Sequence, residues 1–544
     1  MIWLESAQAA LIVAMFTTLV GCGGGHDDAV SEDPTAAAVA SYVVPKATCG
    51  TGDHPETGLQ GQVPAAMRAS FAGFNCNLEV VGQLQGEGAD WSAAMYKDSS
   101  GRVCAYHAML GAPTVASGNS GGLINPGVPV IDITDPTKPV RTESLTSPAM
   151  IDPWESLRAS QKRGLLVADN GTNGGGGGSQ IDIYDIASDC SHPQLLSSID
   201  VGTGSDGGAV APKAPSGHEG GLSPDGLTYY IGSLKSNAYY AIDISLPAHP
   251  KYIASVDLST LPLGGVAHGL SVSDNGNRAY LASIGGDGIG IASLPAPLND
   301  ANAKVQNGYY IMDTTQVQAR SPGAQMKLIA AVPVRDGSTS QHTIPIVVAG
   351  RPYLVDVDEG GAGGLADPAT KNPGAACAAG LAPFPMAHIY DMTNEANPVQ
   401  VSETRLETHV IANCEKVLPD VAGLSFFTYG SHYCTVDNRD NATAMACAFQ
   451  NSGIRVFDIR NPAAPKEIAY LNPPGTTTSV PGSGHSGTGQ WHSGSPDWCS
   501  SRLDFDFANH RLVTACQDNG ELIMAFKNSV WPMPESTPAM DASN

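Results

Sequence analysis

The sequence predicts an all-β protein: a single β-propeller of about seven four-stranded blades, its ring closed by an N-terminal strand near residues 77–84. Three observations predict it. The composition is 42% hydrophobic but only 15% charged, with 62 Gly and 39 Pro, a balance that suits short strands and tight turns better than surface helices. A strand–turn–strand phrase recurs along the chain. The C-terminal stretch 502–527 supplies about three strands and no fourth, while an isolated strand, NLEVVGQLQG, stands at 77–86.

The phrase is clearest in SGIRVFDIRNPAAPKEIAY at 452–470. Val456 and Phe457 favour a strand. Asp458 can accept hydrogen bonds from the turn amides after it, and Pro462 and Pro465 fix φ and stop the strand. Copies occur as IDITDPTKPV at 131–140, YDIASDCSHPQL at 184–195, IDISLPAHPKYI at 242–253 and YDMTNEANPVQV at 390–401. IASLPAPL at 291–298 reads as a degraded copy without its Asp. The register residues Asp132, Asp185, Asp243, Ile291, Asp391 and Asp458 are separated by 53, 58, 48, 100 and 67 residues. Propeller blades repeat at ~40–50 residues, so the interval of 100 reads as one blade with insertions. Upstream strands such as GLTYYIGS at 226–233 and RAYLASIG at 278–285 follow turn signals. The C-terminal strands and the strand near Val80 then make one blade together, which removes the exposed sheet edges. Six or eight blades, or two stacked β-sandwiches, are the alternatives; sandwiches leave the repeat unexplained.

The termini divide the chain further. Residues 8–20 are near-continuously apolar once Gln8 is set aside, too short for a comfortable membrane span and suited to a signal-peptide core. Residues 1–7 hold Glu5 and no Lys or Arg, a departure from the usual positive n-region. The expected organisation is a signal segment at 1–21, a flexible tether at 22–47, a disulfide-pinned lead-in loop at 48–76, the propeller at 77–530 and a C-terminal tail at 531–544. Besides Cys22, ten scattered cysteines in an exported chain read as disulfides. Cys434 and Cys447 flank TVDNRDNATAMA, whose DNRDN turn would set them on facing strands. No CxxC occurs, which disfavours a zinc ribbon. A net charge of −24 disfavours nucleic acid.

Two resemblances follow from these residues. Leu19-Val20-Gly21-Cys22 resembles a bacterial lipobox, which implies lipidation at Cys22 and, with Gly23 next, an outer-membrane destination. The repeats, together with ETGLQGQVPAA at 56–66, DPWESLRASQKRGLLVADNG at 152–171, HEGGLSPDGLTYYIGS at 218–233 and QHTIPIVVAGRPYLVDVDE at 341–359, resemble the LVIVD-repeat proteins, bacterial exported proteins with propeller-type repeats. The resemblance runs through most of residues 49–528. It implies the fold and little about activity, since propellers host scaffolds and enzymes alike.

One pattern bears on chemistry. His218 precedes Asp243 by 25 residues, His432 precedes Asp458 by 26 and His268 precedes Ile291 by 23; His342 opens its unit in the same way. Equal phase in a propeller places all four near one level of the central channel. Trp91, Trp154 with Glu155, and Trp498 with His492 nearby hold the corresponding positions elsewhere. Four imidazoles there would suit a divalent metal such as Fe, Cu or Zn, with Glu219 orienting a ligand from behind. Without metal they would hydrogen-bond water and backbone in a polar channel plugged by the tryptophans. Other motifs carry less. GTNGGGGGSQ at 171–180 lacks the Lys of a phosphate loop, GNSGG at 118–122 lacks nucleophile-elbow spacing, and DVDEGG at 356–361 does not match an EF-hand. Two functions follow as expectations: a lipid-anchored binding scaffold at the cell envelope, taking a protein or small molecule at the channel mouth, or a metal-dependent oxidoreductase or oxygenase with the channel histidines as ligands.

Overall fold

The computed structural model describes residues 42–537 apart from 86–88, 110–125, 172–176, 286–305, 335, 337, 361–373, 379, 422–426 and 476–495. Seven antiparallel sheets form a ring, and six of them take their strands in chain order. The first blade is Ala89–Lys97, Val103–Met109, Val128–Asp132 and Val140–Leu145; the second runs from Arg158–Ser160 to Gln194–Asp200. The third begins with Glu219–Leu222, the fourth with Val266–Val272, the fifth with Thr339–Val348 and the sixth with Cys434–Val436. The seventh joins Asp504–Asp506, Arg511–Cys516 and Gly520–Phe526 to the N-terminal strand Leu78–Leu84, which pairs with Gly520–Phe526 and closes the ring as expected. The sixth blade gains a fifth, outer strand, Phe74–Cys76, immediately before that closure.

The phrase works as its residues suggest. Asp132, Asp185, Asp243, Asp391 and Asp458 each end a third strand, and each carboxylate accepts from the amide two residues on at 2.8–3.0 Å. One assignment is corrected. The third strand of the fourth blade is Gly308–Asp313, and Asp313 is its register residue, accepting from the Thr315 amide at 2.9 Å. The copy at 291–298 lies outside the described residues. The true copy escaped the pattern because its turn has no proline: one helical turn, Thr315–Gln318, replaces the proline turn.

All ten cysteines other than Cys22 are paired: Cys49–Cys76, Cys104–Cys190, Cys377–Cys414, Cys434–Cys447 and Cys499–Cys516. Cys434 and Cys447 are direct cross-strand partners. Cys22 and the signal segment lie outside the described residues. The tether expected over 22–47 is already packed from Tyr42 onward: Tyr42 donates to Pro465 O at 2.6 Å and Val44 is buried. The physical reason is apolar area, since Tyr42 and Val44 join the core between the fifth and sixth blades. The expected tail also begins later than residue 531. Trp531 is buried against Phe505, Phe507 and Phe526 and donates to Asp437 at 3.1 Å.

Candidate metal centre

Each blade delivers one side chain to the channel at the start of its innermost strand. Two devices aim these residues. β-Bulges in the first strands of the first, fourth and fifth blades leave Trp91, His268 and Gln341 out of register with the neighbouring strand. Left-handed backbone turns Trp91 (φ 55°) and Trp154 (φ 51°). His218 and His432 stand one and two residues before their strands, Trp154 and Trp498 four and six residues before theirs, and a parallel bridge joins Glu155 to Glu219 across two blades. Strained φ values in bulky residues cost on the order of 1–3 kcal/mol each, which is tolerable only where the surrounding packing demands them.

The result is a closed ring of contacts among five residues, made by three Nε2 atoms and four carboxylate oxygens. His218 Nε2 lies 2.9 Å from His268 Nε2. His268 Nε2 lies 3.1 Å from Glu359 Oε1, and Glu359 Oε2 lies 3.1 Å from His432 Nε2. His432 Nε2 lies 3.1 Å from Glu155 Oε1, and Glu155 Oε2 returns to His218 Nε2 at 3.2 Å. None of the five side chains is more than 5% exposed. Donors bonded to one ion at about 2.0–2.2 Å stand roughly 3.0–3.4 Å apart, whether octahedral or tetrahedral. Neighbouring atoms of the ring stand near that spacing, and the candidate ligand atoms fall into two groups that share Glu155: one with His218 and His268, the other with Glu359 and His432. Two more observations fit. Two Nε2 atoms at 2.9 Å cannot both carry a proton. Glu155 Oε2 is buried and meets no well-aligned donor.

The surroundings orient the cycle. Glu219 Oε2 stands 3.2 Å from His268 Nδ1, and Arg158 Nη2 donates to Glu219 Oε1 at 3.0 Å. His432 Nδ1 lies 2.8 Å from Ser500 O. Aromatic rings cover the cluster: Trp91 stacks on Trp154 at 4.8 Å and meets Trp498, Phe427 and His432 at 4.9, 5.4 and 4.8 Å. With protons in place of metal, burial pulls His268 and His432 down, but the charges of Glu359 and Glu155 hold His268 well above its ordinary range. Hydrogen bonds to Glu155 and Glu359 likewise hold His432 up at about 10. Burial pushes Glu155 up, yet His268, His218 and His432 outweigh it and hold the carboxyl well below its usual range. Protons and a cation therefore compete for the same donors.

Three of the four histidines singled out in the sequence converge. His342 does not. Its Nδ1 faces Gln341 Oε1 at 2.9 Å and its Nε2 lies 3.3 Å from Cys434 O. Burial and the nearby Arg502 charge push it well below the ordinary range, so it is neutral. The reason is the bulge between Ser340 and His342, which gives the channel position to Gln341, whose Nε2 faces His432 Nε2 at 3.1 Å. Glu219 stands against Nδ1 of His268 in the next blade. Glu155 and Glu359 belong to the same cluster, and sequence reasoning did not name either as a candidate ligand. Their signals were faint: Glu155 follows a phased Trp, and Glu359 ends the acidic run DVDE. His492 lies outside the described residues. Two other Asp/Cys groupings, around Asp53 and Asp497, contain only disulfide-bonded cysteines and offer no thiolate.

Fold and site thus define a seven-bladed β-propeller with a buried His/Glu cluster in its channel. No protein-family model and no curated protein matches the chain. Among solved structures it is similar to a putative 6-phosphogluconolactonase from Bacteroides uniformis, at 11% identity over 80% of this chain and 94% of that one, TM-score 0.46. It is also similar to one from Bacteroides fragilis, at 10% identity over 74% and 86%, TM-score 0.43. Chaetomium thermophilum Sqt1 matches at 10% identity over 83% and 98%, TM-score 0.43.

Proposed function

We propose that this chain is an exported metalloprotein in which His218, His268, His432, Glu155 and Glu359 hold one divalent transition metal, Fe, Cu or Zn, for oxidoreductase or oxygenase chemistry on a small molecule at the channel mouth. The closed ring of contacts among these five residues, with Glu155 shared by its two groups of candidate ligands, supports this reading. A mixed imidazole–carboxylate set suits a redox or Lewis-acid metal better than a closed structural zinc site, which favours four Cys or His ligands. The fold has other means of holding itself together: a closed ring and five disulfides. Elemental analysis of untagged protein tests it. The expected result is one equivalent of transition metal that the pair His218→Ala and His432→Ala removes. Absence of any metal sensitive to that pair, even after reconstitution, would sink the reading.

A second reading is favoured by the aromatic cover of Trp91, Trp154, Trp498 and Phe427. Here the chain is an LVIVD-repeat lipoprotein of the outer membrane, and the cluster is internal cement beneath a surface that binds a protein or small molecule. The lipobox-like Leu19–Cys22 and the repeats support it. Palmitate labelling that Cys22→Ser abolishes, with partner binding unaffected by the histidine pair, is its expected signature.

A further inference from the structure

A second cluster of metal-ligand chemistry lies on the fifth blade, behind the channel. Asp358 immediately precedes Glu359, and strand alternation turns the two carboxylates to opposite faces of the sheet. Asp356 shares the face of Asp358 and is the cross-strand partner of His388. Asp336 comes from the segment leading into the blade. His388 Nε2 lies 2.9 Å from Asp336 Oδ2 and 2.8 Å from Asp358 Oδ2. Ser338 Oγ is also within reach of both carboxylates, at 2.6 and 2.5 Å.

Without a cation, these groups satisfy one another only by sharing a proton between Asp336 and Asp358. One imidazole N–H can point well at only one acceptor, and one hydroxyl hydrogen likewise. Yet two carboxylates crowd both donors in a site where His388 is 2% and Asp358 0% exposed. Asp358 Oδ1 and Asp356 Oδ1 are buried with no hydrogen-bond partner at all. Stranded buried carboxylate oxygens are costly unless a proton or a cation neutralises them. A ligating Nε2 also needs an acceptor at Nδ1. Gln400 stands there at 3.1 Å, and turning its amide over presents the oxygen; Glu403 Oε2 is 3.6 Å away.

We propose that Asp336, Asp358 and His388 form a second divalent-cation site, distinct from the channel centre, whose one-nitrogen, carboxylate-rich donor set takes Mn2+ or Zn2+. Asp336 is the least buried ligand, with 18% of its side chain exposed, and marks the side from which the ion enters. The site anchors the strand end that carries Glu359. It does not depend on the channel centre being occupied.

The test uses chelator-stripped full chain, titrated separately with Zn2+ and Mn2+ and read by native mass spectrometry and calorimetry. Asp336→Asn and His388→Gln should each lose one equivalent that the channel pair His218→Ala and His432→Ala retains. Combining Asp336→Asn with the channel pair should leave none. Asp336→Asn, at a partly exposed position, guards against a folding failure, and circular dichroism reports on it. Unchanged stoichiometry and affinity in both Asp336→Asn and His388→Gln would overturn the proposal. So would a channel-pair variant that binds neither ion. Loss of the channel equivalent alone would instead leave this site standing and decide only the channel reading.

Discussion

Glu219 reaches across from the third blade to hold His268 of the fourth, its Oε2 3.2 Å from the imidazole Nδ1, while Arg158 of the second blade grips its other oxygen at 3.0 Å. Three blades thereby fix the direction in which one Nε2 points. Glu219→Gln should weaken channel metal affinity by about 10–100-fold, the usual cost of losing an orienting partner, with stoichiometry kept. Gly269→Ala should act similarly, because its Cβ would lie 2.1 Å from Glu219 Oε2. Competition against a chelator of known affinity measures both.

His342 and the channel histidines should separate cleanly. His342→Ala is expected to leave channel metal content unchanged, since its nitrogens face Gln341 and Cys434 O. Its cost is a lower thermal midpoint from the cavity left beside Tyr433. His432→Ala should lose the metal. Equal metal loss in the two variants would contradict the bulge register.

The metal-stripped protein should be sensitive to alkali. Glu155 and Glu359 hold His432 up at about 10 against the pull of burial. A histidine raised in the folded state from about 6.5 stabilises fully below that value, and the contribution is lost as pH rises through the folded value. The thermal midpoint of stripped protein should therefore fall between about pH 6.5 and 10. Metal uptake should release protons and tighten across the same window. A stripped His432→Gln variant with the same pH profile as wild type would refute this.

The lead-in segment should be an integral part of the sixth blade. Arg455 is fully buried, donating to Glu467 at 2.6 Å and to Glu56 of the lead-in. Arg455→Ala strands two buried carboxylates and should destabilise by about 3–5 kcal/mol. Arg455→Met, which fills the space, should not rescue it while both glutamates remain charged; adding Glu56→Gln and Glu467→Gln should. Denaturation midpoints of the three variants against wild type decide.

Much of this molecule was legible in one dimension because its signals are local. An Asp that accepts from the amide two residues on needs only its own turn, so Asp132, Asp185, Asp243, Asp391 and Asp458 announce third strands without any partner in view. Periodic turns gave the blade repeat, and an unpaired strand near Val80 with an incomplete last blade gave the closure. Where the turn chemistry changed, at Thr315–Gln318, the register slipped to Ile291.

The sequence by itself thus determined the architecture, the presence of disulfides and, through their intervals to Asp243 and Asp458, the level at which His218 and His432 stand; His268 reaches that level although its interval was counted to Ile291 and not to Asp313. Tertiary structure alone decided the donor set. A bulge of one residue exchanged His342 for Gln341, because side chains alternate along a strand and a single slip reverses which one faces the channel. Glu359 came from a second strand rather than a first, and Glu155 from beside a phased residue rather than at one. Convergence of charges from separate blades depends on backbone direction in three dimensions, which no spacing along the chain encodes.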